Sequence, residues 1–226
     1  MKYFLVYNDN THSNEILKLI ESVKEYGDGF EIVVFNKEDV DIDFAETHKS
    51  ILSQSRGGGY WLWKPYVIKT LLNKVNDDDI VFYLDSKYYF TEDFTNLYSE
   101  YITNNDLLVW KNKPNEPVWY MKNFCKMDVI LKYDMYDKVF NGNAEDCWAG
   151  AILVRKTENA AKYMNEWFTM CCEYEDITDS QSKSANSEVF IEHRHDQSLL
   201  SIVLHKYNIQ MQYFERKYLQ NTRVPY

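Results

Sequence analysis

Residues 80–87, IVFYLDSK, form a nearly unbroken apolar run that ends abruptly in an acid, a serine and a lysine. Such a run lacks the alternation of a half-exposed strand, so it reads as a central strand buried on both faces. The NDDD stretch at 76–79 turns the chain into it. In open α/β sheets, ligands bind beyond the carboxyl ends of the strands. Asp85 stands at such an end. A carboxylate there can hold a divalent cation that bridges a diphosphate, or accept hydrogen bonds from a ribose hydroxyl. Taken alone, a strand-end aspartate is more often the cap of the following turn.

The flanking segments supply the rest of the sheet. KYFLVYN at 2–8 reads as a first strand, and the segment Ser13 to Tyr26 carries Ile16, Leu17, Leu19, Ile20 and Val23 at helical spacing behind an expected Ser13 N-cap. FEIVVFN at 30–36 follows Gly27 and Gly29 as a second strand, giving a β-α-β opening and hence a parallel pairing. RGGGYWLWKPYVIKTLLNKV at 56–75 predicts a glycine loop and then a helix to about Val75, with Pro65 in its first turn. Backbone at Gly57, Gly58 and Gly59 can approach a phosphate or sugar closely, with Arg56 and Lys64 supplying positive charge. The plainer reading is a turn before a helix that packs Trp61 or Trp63 into the core.

Downstream, Asp106 to Trp110 and AGAILV at 149–154 read as strands, and Glu158 to Cys172 as a helix. ITDSQSKSANSE at 177–188 is a polar surface loop, HRHDQSLLSIVLHKY at 193–207 a helix, and MQYFERKY at 211–218 a final strand. His193, Arg194, His195, Asp196 and Gln197 concentrate polar functions at the start of an otherwise apolar helix. Asp196 can serve simply as a first-turn acid there, with His193 and His195 in solvent. Two histidines one residue apart can ligate a metal from a strand, but no third ligand is evident. Near the end, Arg216, Lys217 and Arg223 either close over a phosphate or form a solvated tail.

Without an internal repeat or linker, the chain is expected to form one α/β domain over 1–226, with a mostly parallel central sheet flanked by helices. Aromatics make up 16% of the residues, 19 of them tyrosine, which suits sugar and base stacking. A net charge of −10 disfavours nucleic acid but leaves room for a small anion held by local cations or by a metal. Cys125, Cys147, Cys171 and Cys172 lack zinc-site spacing and read as buried free thiols. The apolar run in MKYFLVYNDN is too short for a signal-peptide core, and no stretch is long enough to span a bilayer, so a cytoplasmic location is expected.

The strand ending YND, the WKPY helix, the strand ending YLD, the AGAILVR strand and the late HDQS helix together resemble GT-A glycosyltransferases. The likeness is to small viral and bacterial members with GYWLWKP- and HRHDQS-like segments, and it runs in order from Tyr3 to about Tyr207. It implies a Rossmann-like fold with a mainly nucleotide-binding half over 1–100 and a mainly acceptor-side half over 101–226. The implied partners are a nucleotide-sugar donor, a UDP-sugar by preference, and a glycan or glycoconjugate acceptor. Tyr7, Asn8 and Asp9 would contact base and ribose, joined at the donor by Arg56, Lys64, Tyr83, Asp85 and Lys87. Asp85 matches the first acid of the Asp-x-Asp motif that binds Mn²⁺ or Mg²⁺ on the donor diphosphate. Lys87 replaces the second, and an ammonium there can partly substitute for the cation.

Asp196 and Gln197 are similar to the Asp-Gln pair that touches the transferred sugar in retaining members. The resemblance makes them the catalytic candidates and retention the favoured outcome. Trp148, Ala149 and Gly150, with His193 and His195, are the candidate walls for sugar or acceptor. A nucleotidyltransferase also uses a strand-end acid, but usually with a glycine-rich basic loop after the first strand, which YNDNTHS lacks. A catalytically silent nucleotide-sugar or carbohydrate-binding module is the other alternative. These motifs leave the oligomeric state open.

Overall fold

The structure, a computed structural model, describes residues 1–27, 29–95, 99–102, 105–111, 119–213 and 218–222. Eight strands are present among them: β1 (Lys2–Asn8), β2 (Phe30–Asn36), β3 (Ile80–Leu84), β4 (Tyr88–Phe90), β5 (Leu107–Lys111), β6 (Trp148–Arg155), β7 (Gln212–Tyr213) and β8 (Leu219–Asn221). Six form the central sheet in the order β2-β1-β3-β6-β5-β7, and β4 pairs with β8 beside it. β1 runs parallel to β2 and β3, and β5 parallel to β7. β6 alone is reversed, antiparallel to β3 and to β5. The sheet is therefore mostly parallel, as the β-α-β opening predicts.

Four longer helices cover the sheet: α1 (Ser13–Tyr26), α2 (Trp63–Leu72), α3 (Glu158–Cys171) and α4 (His195–Lys206). In α1, Ile16, Leu19 and Val23 fall on one face and are buried, while Leu17 points to solvent. Ser13 is the first helical residue rather than the cap; His12 holds the cap position without a side-chain bond. α2 ends at Leu72 instead of Val75. Its next residues turn toward β3 through Asp79, whose carboxylate accepts the Asn76 N–H at 2.8 Å.

The period-2 alternation of the strands divides the core in two. Leu5, Val81, Tyr83, Val109, Ile152 and Val154 face one side, where α2, α3 and α4 pack. Phe4, Phe82, Leu84, Leu108, Trp110 and Leu153 face the other, where α1 and β4 close the core. That second face is rich in aromatics: Phe4 meets Phe82 edge-on at 5.3 Å, and Phe90 stacks on Phe94 at 3.7 Å. Each such buried ring is worth roughly 1.5–3 kcal/mol over an exposed one.

Cys125, Cys147 and Cys171 are buried free thiols, as expected, and Cys172 is partly exposed. Of the expected final strand, Gln212 and Tyr213 pair in the sheet. The rest of that segment through Lys217, with Arg216, lies outside the described residues, as does Arg223. Among the described residues no helix is long and apolar enough to cross a membrane.

Candidate functional site

Beyond the carboxyl end of β3 the chain crosses to the neighbouring reversed strand, where the Asp85 N–H donates to the Gly150 carbonyl at 2.8 Å. That bond ties Asp85 to the start of β6. The Tyr83 hydroxyl donates to Asp85 Oδ1 at 2.8 Å, Lys64 Nζ lies 3.4 Å from the same oxygen, and Lys87 Nζ lies 3.8 Å from Oδ2. Asp85 Oδ1 is thus engaged by a hydroxyl and an ammonium, while Oδ2 has only the longer approach of Lys87.

Lys64 comes from the first turn of α2 and is buried. Its ammonium donates to the Ala149 carbonyl at 3.1 Å and lies 3.0 Å from Asp196 Oδ2 as well as 3.4 Å from Asp85. The Ala149 carbonyl takes the hydrogen bond and the two carboxylates are ion-pair partners; Asp196 Oδ2 has no hydrogen-bond partner among the described residues. Burial alone would lower the Lys64 pKa, but the Asp196 and Asp85 carboxylates hold it above its ordinary value. Burial pushes the Asp196 carboxyl up to about 6, against the pull of Lys64. At neutral pH the cluster is a cation bridging two anions from different parts of the chain.

α4 begins immediately at this cluster. Gln197 Nε2 donates to Asp146 Oδ2 at 2.7 Å, and Gln197 Oε1 accepts the Ala149 N–H at 3.4 Å. The Ser201 hydroxyl donates to Asp146 Oδ1 at 2.7 Å. A carboxylate only accepts, so Asp146 fixes which end of the Gln197 amide faces it. Asp146 is buried, and desolvation raises its carboxyl to about 6 even though Ser201 and Gln197 bond to it. Asp146 has no sequence signal: it follows Glu145 in AEDCWAG, a segment that carries no motif.

Two cavities meet at Asp85 and Lys87, which line both, as does Trp61. The larger, about 690 Å³, extends past Tyr7, Asp9, Gly57, Gly58, Trp63 and Tyr83. Tyr7 and Trp63 stack at 4.0 Å on its wall. The smaller, about 320 Å³, is bounded by Trp119, Trp148, Ala149, Gly150, Asp196 and Gln197, and by Arg56, Arg194 and His195. A Cβ at Gly150 would come within 2.4 Å of the Trp148 indole nitrogen, so a larger residue there would displace that ring.

Several expected residues sit elsewhere or act differently. Arg56 faces the smaller cavity and pairs with Glu192 at 2.8 Å and Asp179 at 3.3 Å. Asn8 turns away from the larger cavity, donating to Asn36 Oδ1 at 3.0 Å and accepting the Asn10 N–H. His193 is buried rather than solvent-exposed and borders neither cavity. Its Nε2 contacts the Asp176 carbonyl at 2.7 Å and its Nδ1 accepts the Lys126 N–H at 3.4 Å, while burial holds it neutral. His195 is also buried, but at the cavity. Its Nδ1 contacts the Ile177 carbonyl at 2.7 Å and so carries the proton, leaving Nε2 without a hydrogen-bond partner among the described residues.

The glycine loop is a left-handed turn. Gly57, Gly58, Gly59, Tyr60 and Trp61 all have positive φ, from 52° to 96°. Left-handed backbone costs a non-glycine residue about 1–2 kcal/mol, so Tyr60 and Trp61 are held there against local preference. Their rings meet His195, itself at φ 51°, with centroids at 4.7 and 5.7 Å. Local strain is therefore concentrated at the mouth of the smaller cavity.

A divalent cation is the ordinary companion of a strand-end Asp-x-Asp pair. Among the described residues no group of three His, Cys, Asp or Glu side chains is placed to hold a metal. Asp85 instead faces a hydroxyl and two ammonium groups, a donor set that does not fit a divalent cation.

This architecture is the GT-A glycosyltransferase fold. No protein-family model and no curated protein matches the chain in sequence. Among solved structures it is similar to the galactosyltransferase LgtC in complex with donor and acceptor sugar analogues: TM-score 0.51 and 16% identity, over 96% of this chain and 74% of LgtC. The bifunctional glycosyltransferase WbbM gives a TM-score of 0.51 at 12% identity, over 95% of this chain and 38% of WbbM. The glycosyltransferase GlyE of Streptococcus pneumoniae gives 0.49 at 14% identity, over 95% of this chain. The chain spans 45% of the length of GlyE.

Proposed function

We propose that the protein is a glycosyltransferase that moves a sugar from a nucleoside-diphosphate donor, by preference a UDP-sugar, to a hydroxyl of a glycan or glycoconjugate with retention of anomeric configuration. The observation that carries this reading is the meeting of the two cavities at Asp85, with Asp196 and Gln197 on the adjoining wall. A nucleotide fits the larger cavity, its base or ribose against the Tyr7–Trp63 stack. The diphosphate then lies at Lys87 and the transferred sugar at the junction. The smaller cavity, walled by Trp61, Trp119 and Trp148, offers an acceptor sugar aromatic faces.

In this arrangement Asp196 accepts hydrogen bonds from the sugar hydroxyls, and Gln197, oriented by Asp146, lies beside the anomeric carbon. The acceptor oxygen forms the new bond to that carbon as the carbon–phosphate oxygen bond breaks. The hydroxyl proton passes to the departing phosphate. An inverting course needs a carboxylate free to act as base, whereas Asp85 and Asp196 are both bound to Lys64; this supports retention. The two ammonium groups beside Asp85 take up the charge of the departing diphosphate.

The test is incubation with a panel of nucleotide sugars, reading release of nucleoside diphosphate, with the product anomer assigned by NMR. At least one donor is expected to be turned over with retention. Binding without any release would make the protein a silent nucleotide-sugar module, and an inverted product would remove the assigned role of Gln197.

A further inference from the structure

Lys87 differs from Lys64 and Arg56, which also line the cleft. Lys64 donates to Ala149 and is ion-paired with Asp196 and Asp85, and Arg56 is paired with Glu192 and Asp179. The Lys87 ammonium has only a loose 3.8 Å approach to Asp85 and a position 5.3 Å over the Tyr88 ring, and its side chain is 35% exposed where the two cavities join. Its backbone, by contrast, is anchored. The Lys87 carbonyl accepts both the N–H of Thr222 at 2.8 Å and its hydroxyl at 3.0 Å, while β4 pairs with β8 just beyond. A free cation on a fixed stem faces the junction of the cleft.

We propose that this protein neutralises its donor diphosphate with the Lys87 ammonium in place of a divalent cation, and so binds a nucleoside diphosphate independently of metal. The proposal rests on the donor-site reading above. A cation at Asp85 would sit among the Lys64 and Lys87 ammonium groups, against like-charge repulsion. A diphosphate against the Lys87 ammonium meets attraction instead. Asp85 then serves to hold Lys87 at the cleft and, with Tyr83 and Lys64, to meet the ribose or sugar.

Calorimetric titration separates the alternatives, using whichever of UDP, GDP, ADP and CDP binds most tightly. The wild type is expected to bind with affinities in EDTA and in Mn²⁺ that agree within about twofold, a few tenths of a kcal/mol. Lys87→Ala should weaken binding by roughly tenfold or more in both buffers, about 1.4 kcal/mol. Lys87→Asp, which rebuilds an Asp-x-Asp pair, should bind poorly in EDTA and recover with Mn²⁺. Circular dichroism melts verify that both variants fold. A wild type that loses tenfold or more in EDTA overturns the proposal while leaving the donor site intact. Lys87→Ala binding like the wild type overturns it as well. If none of the four nucleotides binds in either buffer, the donor-site reading falls and takes the proposal with it.

Discussion

Asp146 and Gln197 depend on each other in a way that no local motif encodes. Asp85 and the Asp196-Gln197 pair were legible because each stands where sequence marks a boundary, the end of an apolar strand or the start of an apolar helix. Asp146 was not, because its role arises from a contact across 51 positions. His193 was misread for the complementary reason: HRH looks polar, but two backbone groups on other segments satisfy the ring. Both Asp146 and Asp196 have carboxyls raised to about 6 by burial and are needed ionised, so turnover should fall as pH drops through 6. Asp146→Asn should lower kcat by about tenfold to a hundredfold with little change in KM, because a reacting group loses its orientation. Its stability carries a second signature. A carboxyl whose folded pKa is raised costs stability progressively as pH rises from about 4, the unfolded value, to about 6, and that cost persists above it. The melting temperature of Asp146→Asn relative to wild type should therefore improve between pH 4.5 and 7.5. A flat difference, or an unchanged kcat, would deny the residue this role.

Elements were legible to the extent that periodicity governs them. β1, β2, β3, β5 and β6 and the longer helices came out near their expected bounds, since apolar residues at spacing two or three-to-four must find a core, whereas the short β4 and β8 carry no such run. The direction of β6 was not legible, because a doubly buried apolar run reads the same either way. Nor was the handedness of the turn at 57–61. The three glycines signal freedom of φ, but Tyr60 and Trp61 reach positive φ only because α2 and His195 hold them. Gly59 tests this turn, since at φ 96° an added Cβ would lie 2.7 Å from Leu52 Cα. Gly59→Ala should destabilise the protein by about 3 kcal/mol, from backbone strain plus overpacking. That corresponds to a fall in melting temperature of roughly 6–12 °C for a chain of this size. Gly58→Ala, where the Cβ meets nothing closer than 3.7 Å, should lose about half as much or less. Equal melts for the two variants would mean that the turn is not packed as described.

At the scale of the whole molecule, function depends on where the sheet changes direction. Five parallel strands bring their carboxyl ends to one edge, and β6 returns through the sheet so that its first residues, Trp148 to Gly150, arrive beside Asp85. The larger cavity draws its walls from residues 7–87, and the smaller adds residues 119–197. A net charge of −10 repels polyanions at long range, while Lys87 at the cleft provides local attraction for a small anion. All of this converges on Asp85. With the donor identified by the nucleotide-sugar panel, turnover by Asp85→Asn measures the central claim most directly. The expected result is a loss of about a hundredfold or more, typical for removing a charge that serves the reacting group, with the melting temperature within a few degrees of wild type. Turnover equal to wild type would contradict the account.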